Sequence, residues 1–459
     1  MRTPRKIADQ YRAIVSSIGF YPAIIITLFM LFAMVLANIE YQSWVMRIKQ
    51  AWPVLFVTDV DTAKTLLGIL AGGLISLTVF SFSMVMVVLN NAAATLSPRV
   101  LPGLISIKAH QYVLGMYLGS IVFTLLTLMN IHTEGETLQT PALGTFFALA
   151  IGIYNLVLFV FFIHSISRSI QVDSVLNTLF AQTNKQLQNL IAYQDPRIAA
   201  AVPDYCDWYR LKSPRAGYFK GVHTHQLCKL LAQHELRMVT EVEPGFFCVE
   251  GFPYLALDRD ISADEELCEQ IHKCSVFYIE EYIGDHYSYG LRQIAEIAIK
   301  ALSPGINDPG TAVKAIDMLS ILTIARLHVA DHNYTLLNTE QQQSPLLWFY
   351  EPSLASLLEE NFDPIRHYGC NDTTVLVNLI EALKNILFVC EHNREYTQAL
   401  YRYVQATVYD AEHCIDNPYE RERINRMLTR MNEVANKRGD DIHFSLSDKD
   451  AEPRVTLHN

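Results

Sequence analysis

The sequence predicts an α-helical polytopic membrane protein, with four transmembrane helices followed by a cytosolic α+β domain, mostly helical with a small β-rich module. Three observations carry this prediction. The chain is 51% apolar, but the apolar excess lies before about residue 165 and most of the charge after it. Four early stretches lack Asp, Glu, Lys and Arg and are close to the ~20 residues that cross a hydrocarbon core. After them, apolar residues recur mainly at the three- and four-residue spacing of amphipathic helices.

The four stretches are 20–37, 66–89, about 112–131 and about 142–163. A basic head (Arg2, Arg5, Lys6, Arg12) precedes the first, and its apolar run is too long for a signal peptide. The loop between spans two and three carries Arg99 and Lys108 and no acid, and Arg168 follows span four. The other two loops are balanced (Glu40, Asp59 and Asp61 against Arg47, Lys49 and Lys64) or acidic (Glu134, Glu136). By the positive-inside rule both termini are expected in the cytoplasm, with the chain in the inner membrane and loops 38–65 and 132–141 outside.

The expected domains are a transmembrane unit over 1–163, a connecting stalk helix over 164–200, a β-rich module over 201–260, a helical domain over 261–437 and a disordered tail over 438–459. The stalk lacks Pro and Gly over 164–194, and apolar residues recur at Ile163, Ile166 and Ile170, then Val172, Val175 and Leu179. It reads as a helix continuing from span four, packed on its own domain or coiled between subunits. In the β-rich module, "GYFKGVH", "LRMVTEV" and "FFCVEGFPYLAL" read as strands. Thr224 is a candidate N-cap, and Pro244-Gly245 fits the centre of a type II turn. Helices are expected over 264–282, 286–302, 309–330, 353–360, 372–391, 395–415 and 418–437.

Several motifs occur in a fixed order: "SPRVLPGLI" (97–105), "YVLGMYLGS" (112–120), "GYFKGVH" (217–223) and "DHYSYGLRQIAEIAIKALSPGINDPGTA" (285–312). In this order the chain resembles the bacterial predicted membrane proteins grouped as domain-of-unknown-function family 2254, over about residues 15–435. Gly310 stands where the family pattern has an aromatic. The resemblance implies topology and domain order, and it implies no activity.

The residues exclude some chemistry and leave some open. The net charge of −11 and the lack of a basic stripe exclude the electrostatic face that nucleic acid requires. Phosphate-loop, nucleophile-elbow, zincin and dinucleotide fingerprints are absent, so no enzyme and no cofactor is expected. All eight Cys lie after residue 205 without Cys-x-x-Cys spacing, and read as reduced thiols. His223, His225 and Cys228, and Cys268, His272 and Cys274, are ligand types in spacings that match no recurring zinc pattern, so no metal is expected.

Two candidate sites remain. At 301–317, Ser303-Pro304-Gly305 stop one helix and Asp308-Pro309 cap the next. This is a rigid corner, or an anion site built from Arg292, Gly305, Asn307 and Asp308 with free N–H groups at the helix start. In span two, Gly68, Gly72, Ser76, Ser83, Asn90 and Ser97 recur at four and seven. Such a stripe packs helices, or its polar members Ser76, Ser83, Asn90 and Ser97 line a path in an oligomer. Spans without charge lack the hardware of ion-coupled pumps. The expected function is an oligomeric passive pore in the lipid bilayer, gated by the cytosolic domain. The alternative is a membrane-anchored sensor or scaffold that binds a small anionic ligand or a protein.

Overall fold

The structure, a computed structural model, describes residues 19–40, 42–95, 108–134, 137–169, 171–193, 202–278, 286–329, 331–335, 346–390 and 393–447. The basic head, all of "SPRVLPGLI" including Ser97, and residues 448–459 lie outside the described residues. The chain divides into two compact units, Met1–Ser174 and Val175–Asn459.

Among the described residues, the first unit holds four helices long and apolar enough to cross a membrane: α1 (Phe20–Ile39), α3 (Val60–Thr95), α4 (Lys108–Met129) and α5 (Ala142–Ser169). A short helix α2 (Ser43–Ala51) and a 3-10 turn (Pro53–Leu55) join α1 to α3, and a hairpin of β1 (His132–Glu134) and β2 (Thr137–Gln139) joins α4 to α5. α4 is central and packs against α1, α3 and α5. Small residues make these approaches close. A Cβ at Gly115 would lie 2.7 Å from Ile25 Cδ1, at Gly119 2.7 Å from the Phe29 ring, and at Gly152 2.6 Å from Leu70 Cδ1. The outer surface keeps large apolar side chains exposed, among them Leu28, Ile69, Val79, Ile153 and Val160. That surface suits hydrocarbon, not water.

One buried acid organises an end of this unit. Glu40, at the end of α1, accepts from the backbone N–H of Leu143 (3.0 Å) and Gly144 (3.3 Å), at the start of α5. A carboxylate is favoured there because the first N–H groups of a helix have no intrahelical partner. Lys49 of α2 completes the site with an ion pair to Glu40.

The second unit opens within α6 (Val172–Tyr193), which is a separate helix from α5. Its buried stripe is Val175, Leu176, Leu179, Thr183 and Leu187, as expected of a helix packed on its own domain. Thr183 meets Gly290 so closely that a Cβ there would lie 1.8 Å from Thr183 Oγ1.

Strands form two sheets. One has five strands in the order β3 (Tyr209–Lys212), β7 (Pro253–Leu257), β5 (Met238–Thr240), β10 (Leu347–Tyr350) and β9 (His332–Thr335). All its pairs are antiparallel except β5 with β10, where Met238 is in register with Leu347. The other sheet has the order β6 (Phe247–Cys248), β4 (Gly217–Val222) and β8 (Ser275–Tyr278). The sheets share a core with α7 (Thr224–Gln233) and α8 (Glu265–Cys274), built from Phe219, Leu231, Tyr254, Ile271, Phe277 and Leu347. The module therefore extends beyond the expected 201–260, since β8, β9 and β10 come from the stretch read as helical. The helix expected over 264–282 stops at Cys274 and becomes strand β8. Thr224 is the first helical residue of α7 rather than its cap, and His223 takes the cap position without a side-chain bond.

The helical part comprises α9 (Tyr287–Ala301), α10 (Pro309–Arg326), α11 (Leu354–Asn361), α12 (Asp363–Gly369), α13 (Thr373–Val389), α14 (Arg394–Cys414) and α15 (Pro418–Lys437). α10 packs on α9 and α13, and α13 on α15. Side chains of Asp264, Asp308, Ser353, Asp372, Asn393 and Asn417 cap their helices, satisfying N–H groups that would otherwise be orphaned. The segment expected to be a disordered tail docks on α15 up to Ser447. Asn432 bonds the Phe444 backbone in both directions (both 2.9 Å), Asn425 Oδ1 accepts from Leu446 N (2.7 Å), and Leu446 is buried.

Candidate functional site

At 100° per residue, the buried positions of α3 (Leu67, Leu74, Ser81, Val88) share one face. Gly72, Ser76, Ser83 and Asn90 fall about 150–170° from it, and Gly68 about 130°. All five are exposed, and a Cβ at Gly68 or Gly72 would meet nothing within 4 Å. The glycines of α4 and α5 serve helix packing inside the chain, whereas the stripe of α3 does not. Ser76 returns its hydroxyl proton to Gly72 O (3.0 Å). Val79 and Met86 interrupt the stripe and are exposed with it.

The opposite face of α3 joins a polar layer that the sequence reading missed. Asn155 of α5 donates from Nδ2 to Ser120 Oγ of α4 (2.7 Å), and both residues are buried. Tyr117, one turn from Ser120, lies beside Ser81 of α3. Among the described residues, Asn155 Oδ1 is buried without a hydrogen-bond partner. The available signal was Asn155, the lone carboxamide in an otherwise apolar span.

At the corner, the structure separates the four candidates. Asp308 Oδ1 accepts from Thr311 N (3.1 Å), and Oδ2 accepts from the Thr311 hydroxyl (2.6 Å). These bonds, side chain first and backbone second, hold the Asp308 carboxyl below the usual range. The N–H groups of Ile306, Asn307 and Asp308 bond to Ser303 O, Ser303 O and Ala301 O. Asn307 takes a left-handed φ of 49° that closes this turn. Gly305 is exposed with open space around it. Arg292 pairs with Glu360 (2.8 Å). The corner is closed on itself and its helix start already holds a carboxylate, that of Asp308.

A second polar cluster is buried where α9, α10, β10 and α14 meet. Arg326 donates from Nε to Tyr287 OH (2.7 Å), from Nη1 to Val329 O, and from Nη2 to Asp331 (2.7 Å) and Pro352 O (2.7 Å). Tyr396 also donates to Asp331 (2.7 Å), and His286 Nε2 lies 3.1 Å from Glu351 Oε2. Burial raises the Glu351 carboxyl, but His286 and Arg326 outweigh it and the net shift is downward. Every nitrogen of the guanidinium is engaged within the protein, so this cluster ties elements together and offers no free donor.

Among the described residues, no three His, Cys, Asp or Glu side chains are placed to hold a metal. His272 instead bonds Tyr254 OH (2.9 Å), and Cys268 Sγ donates to Ile261 O. Burial pushes the Cys228 thiol up to about 11.

Comparison with known proteins agrees with this membrane architecture. Residues 15–385 match a family described as a predicted membrane protein of unknown function. An uncharacterised protein of Mycobacterium bovis is 23% identical over 323 residues, covering 67% of this chain and 60% of the relative. An uncharacterised protein of Mycobacterium tuberculosis matches to the same extent. The chain thus spans 60% of the length of these relatives. No solved structure matches. With four membrane helices ahead of a mostly helical unit that carries a small sheet module, the chain belongs to the predicted membrane proteins of domain-of-unknown-function family 2254.

Proposed function

We propose that the protein is a passive pore of the bacterial inner membrane, assembled from several copies around the polar stripe of α3 and gated by its second unit. The observation that supports this reading is the open stripe. Gly68, Gly72, Ser76, Ser83 and Asn90 face away from the chain's own core, and small residues at four-residue spacing let helices of neighbouring copies approach. A carboxamide facing hydrocarbon is costly, so Asn90 calls for protein, headgroups or water. In this reading both termini lie in the cytoplasm, as the Lys and Arg asymmetry requires, and the chain has no catalytic role. The anion-sensor alternative draws no support from the corner, because its N–H groups and Arg292 are already engaged.

The test is a Cys scan. All native Cys lie beyond the spans, so Cys at 83 is the lone intramembrane thiol. A small charged thiol reagent should label Ser83→Cys, spare Val85→Cys and alter conductance in proteoliposomes. Val85 is the control because it is partly buried against the core between the helices. Equal protection of both positions would overturn the pore.

A further inference from the structure

We infer that α2 and the 3-10 turn after it form an in-plane membrane anchor, seated at the boundary between phospholipid headgroups and acyl chains. The segment "SWVMRIKQAWPVL" (43–55) is too short to span, and it carries Arg47 and Lys49. It still exposes Trp44, Met46, Ile48, Trp52, Val54 and Leu55, with Val54 97% exposed. Six large apolar side chains turned outward in thirteen residues make a poor loop for water.

The neighbouring helices show what covers them. α1 and α3 are both membrane helices, and the segment connects the end of one to the start of the other. Its two ends are therefore held at one face of the bilayer. Its rotation about its own axis is also set. Val45 is buried, Lys49 points inward to its ion pair with Glu40, and Phe56 packs on Phe146. With those positions inside, Trp44 and Ile48, at i and i+4, form one ridge, and Trp52 follows exposed at the end of the helix. Arg47 and Gln50 lie on another side and are exposed. Apolar ridge, polar side and flanking Trp are the pattern of helices that lie in the interface. Trp44 already gives its indole N–H to Gln42 Oε1 (2.7 Å), so its ring enters the boundary without an unsatisfied donor.

The anchor gives Glu40 a wider role. Glu40 holds α2 through Lys49 and the start of α5 through Leu143 and Gly144. The depth of the anchor in the lipid is thereby coupled to the helix that carries Asn155.

The full chain is reconstituted in vesicles of phosphatidylcholine and phosphatidylglycerol, with or without lipids brominated on the acyl chain near the headgroup or near the methyl end. Trp fluorescence is read for wild type and for Trp44→Phe/Trp52→Phe, which removes two of the four Trp from exposed positions. The expected result is quenching of wild type, stronger for bromine near the headgroup, and loss of most of it in the double variant. Equal quenching of both proteins overturns the proposal. If quenching is absent and acrylamide from the aqueous side quenches Trp44 and Trp52 instead, the segment lies in water and the proposal fails. If both reagents are excluded, another copy covers the ridge, and it fails as well.

Discussion

Replacing Gly290 by Ala should destabilise the second unit even though Ala is the better helix former. The added Cβ would lie 1.8 Å from Thr183 Oγ1, 2.9 Å from its Cβ and 3.1 Å from its Cγ2. Rotating Thr183 gives no relief, because its Cβ is itself too near and its hydroxyl already donates to Leu179 O (2.7 Å). To reach ordinary contact, α6 must withdraw by about 1.5 Å. Overpacking of this kind costs about 1–3 kcal/mol. The gain in helix propensity returns roughly 1 kcal/mol. The net loss, up to about 2 kcal/mol, lowers Tm by up to about 8 °C for a unit of this size. The assay is thermal unfolding of the purified full chain, with Gly305→Ala as control, because Gly305 has open space around it. Thr183→Gly/Gly290→Ala should recover most of the loss. If Gly290→Ala melts at or above wild type, the close approach of α6 and α9 is wrong.

Asp308→Ala should cost about 1 kcal/mol, the usual effect of a lost N-cap, read as a lower Tm at neutral pH. The Asp308 carboxyl is held below its ordinary range, so its contribution is complete above the unfolded pKa of about 4 and fades as pH falls through the folded value. The gap between variant and wild type should therefore close as the carboxyl protonates in acid; a gap that persists once it is protonated would point to another role for Asp308. Glu40→Ala leaves Lys49 without its partner and two α5 N–H groups without their acceptor. It should cost about 3 kcal/mol, more than Lys49→Met, in detergent melts; equal losses would contradict the dual role of Glu40. A reporter active only outside the cytoplasm, fused at 455, should be silent, and activity would reverse the proposed topology.

What the sequence reveals depends on how local its causes are. The four spans were legible because each is a continuous apolar run, and α15 was legible because Asn417-Pro418 announces its start. Strand β8 was read as helix because "SVFY" follows Cys274 without a Gly or Pro break, and a short apolar run has no period of its own. β9 and β10 were missed for a different reason. They are four-residue strands whose partners include β5, far away in sequence. The docked tail looked too polar to fold, and its order comes from two Asn side chains on α15 that mimic strand partners. At the corner, Asp308 as cap was readable from Asp-Pro. The pairing of Arg292 with Glu360 depends on helix α11 and was not. Whether the α3 stripe packs inside the chain is set by which face its neighbours choose, and residue spacing alone leaves that open.

The lone parallel pair of the larger sheet also sets a schedule for synthesis. β3, β5 and β7 lie within fifty residues of one another, so this antiparallel piece can form as soon as it leaves the ribosome. The remaining edge of β5 has to wait for Leu347. At 5–20 residues per second that wait lasts about 5–20 s. Throughout it, a buried strand of the finished protein is an open edge, and an open edge recruits any extended chain nearby. Slower translation between β5 and β10 would lengthen this interval and the exposure of that edge.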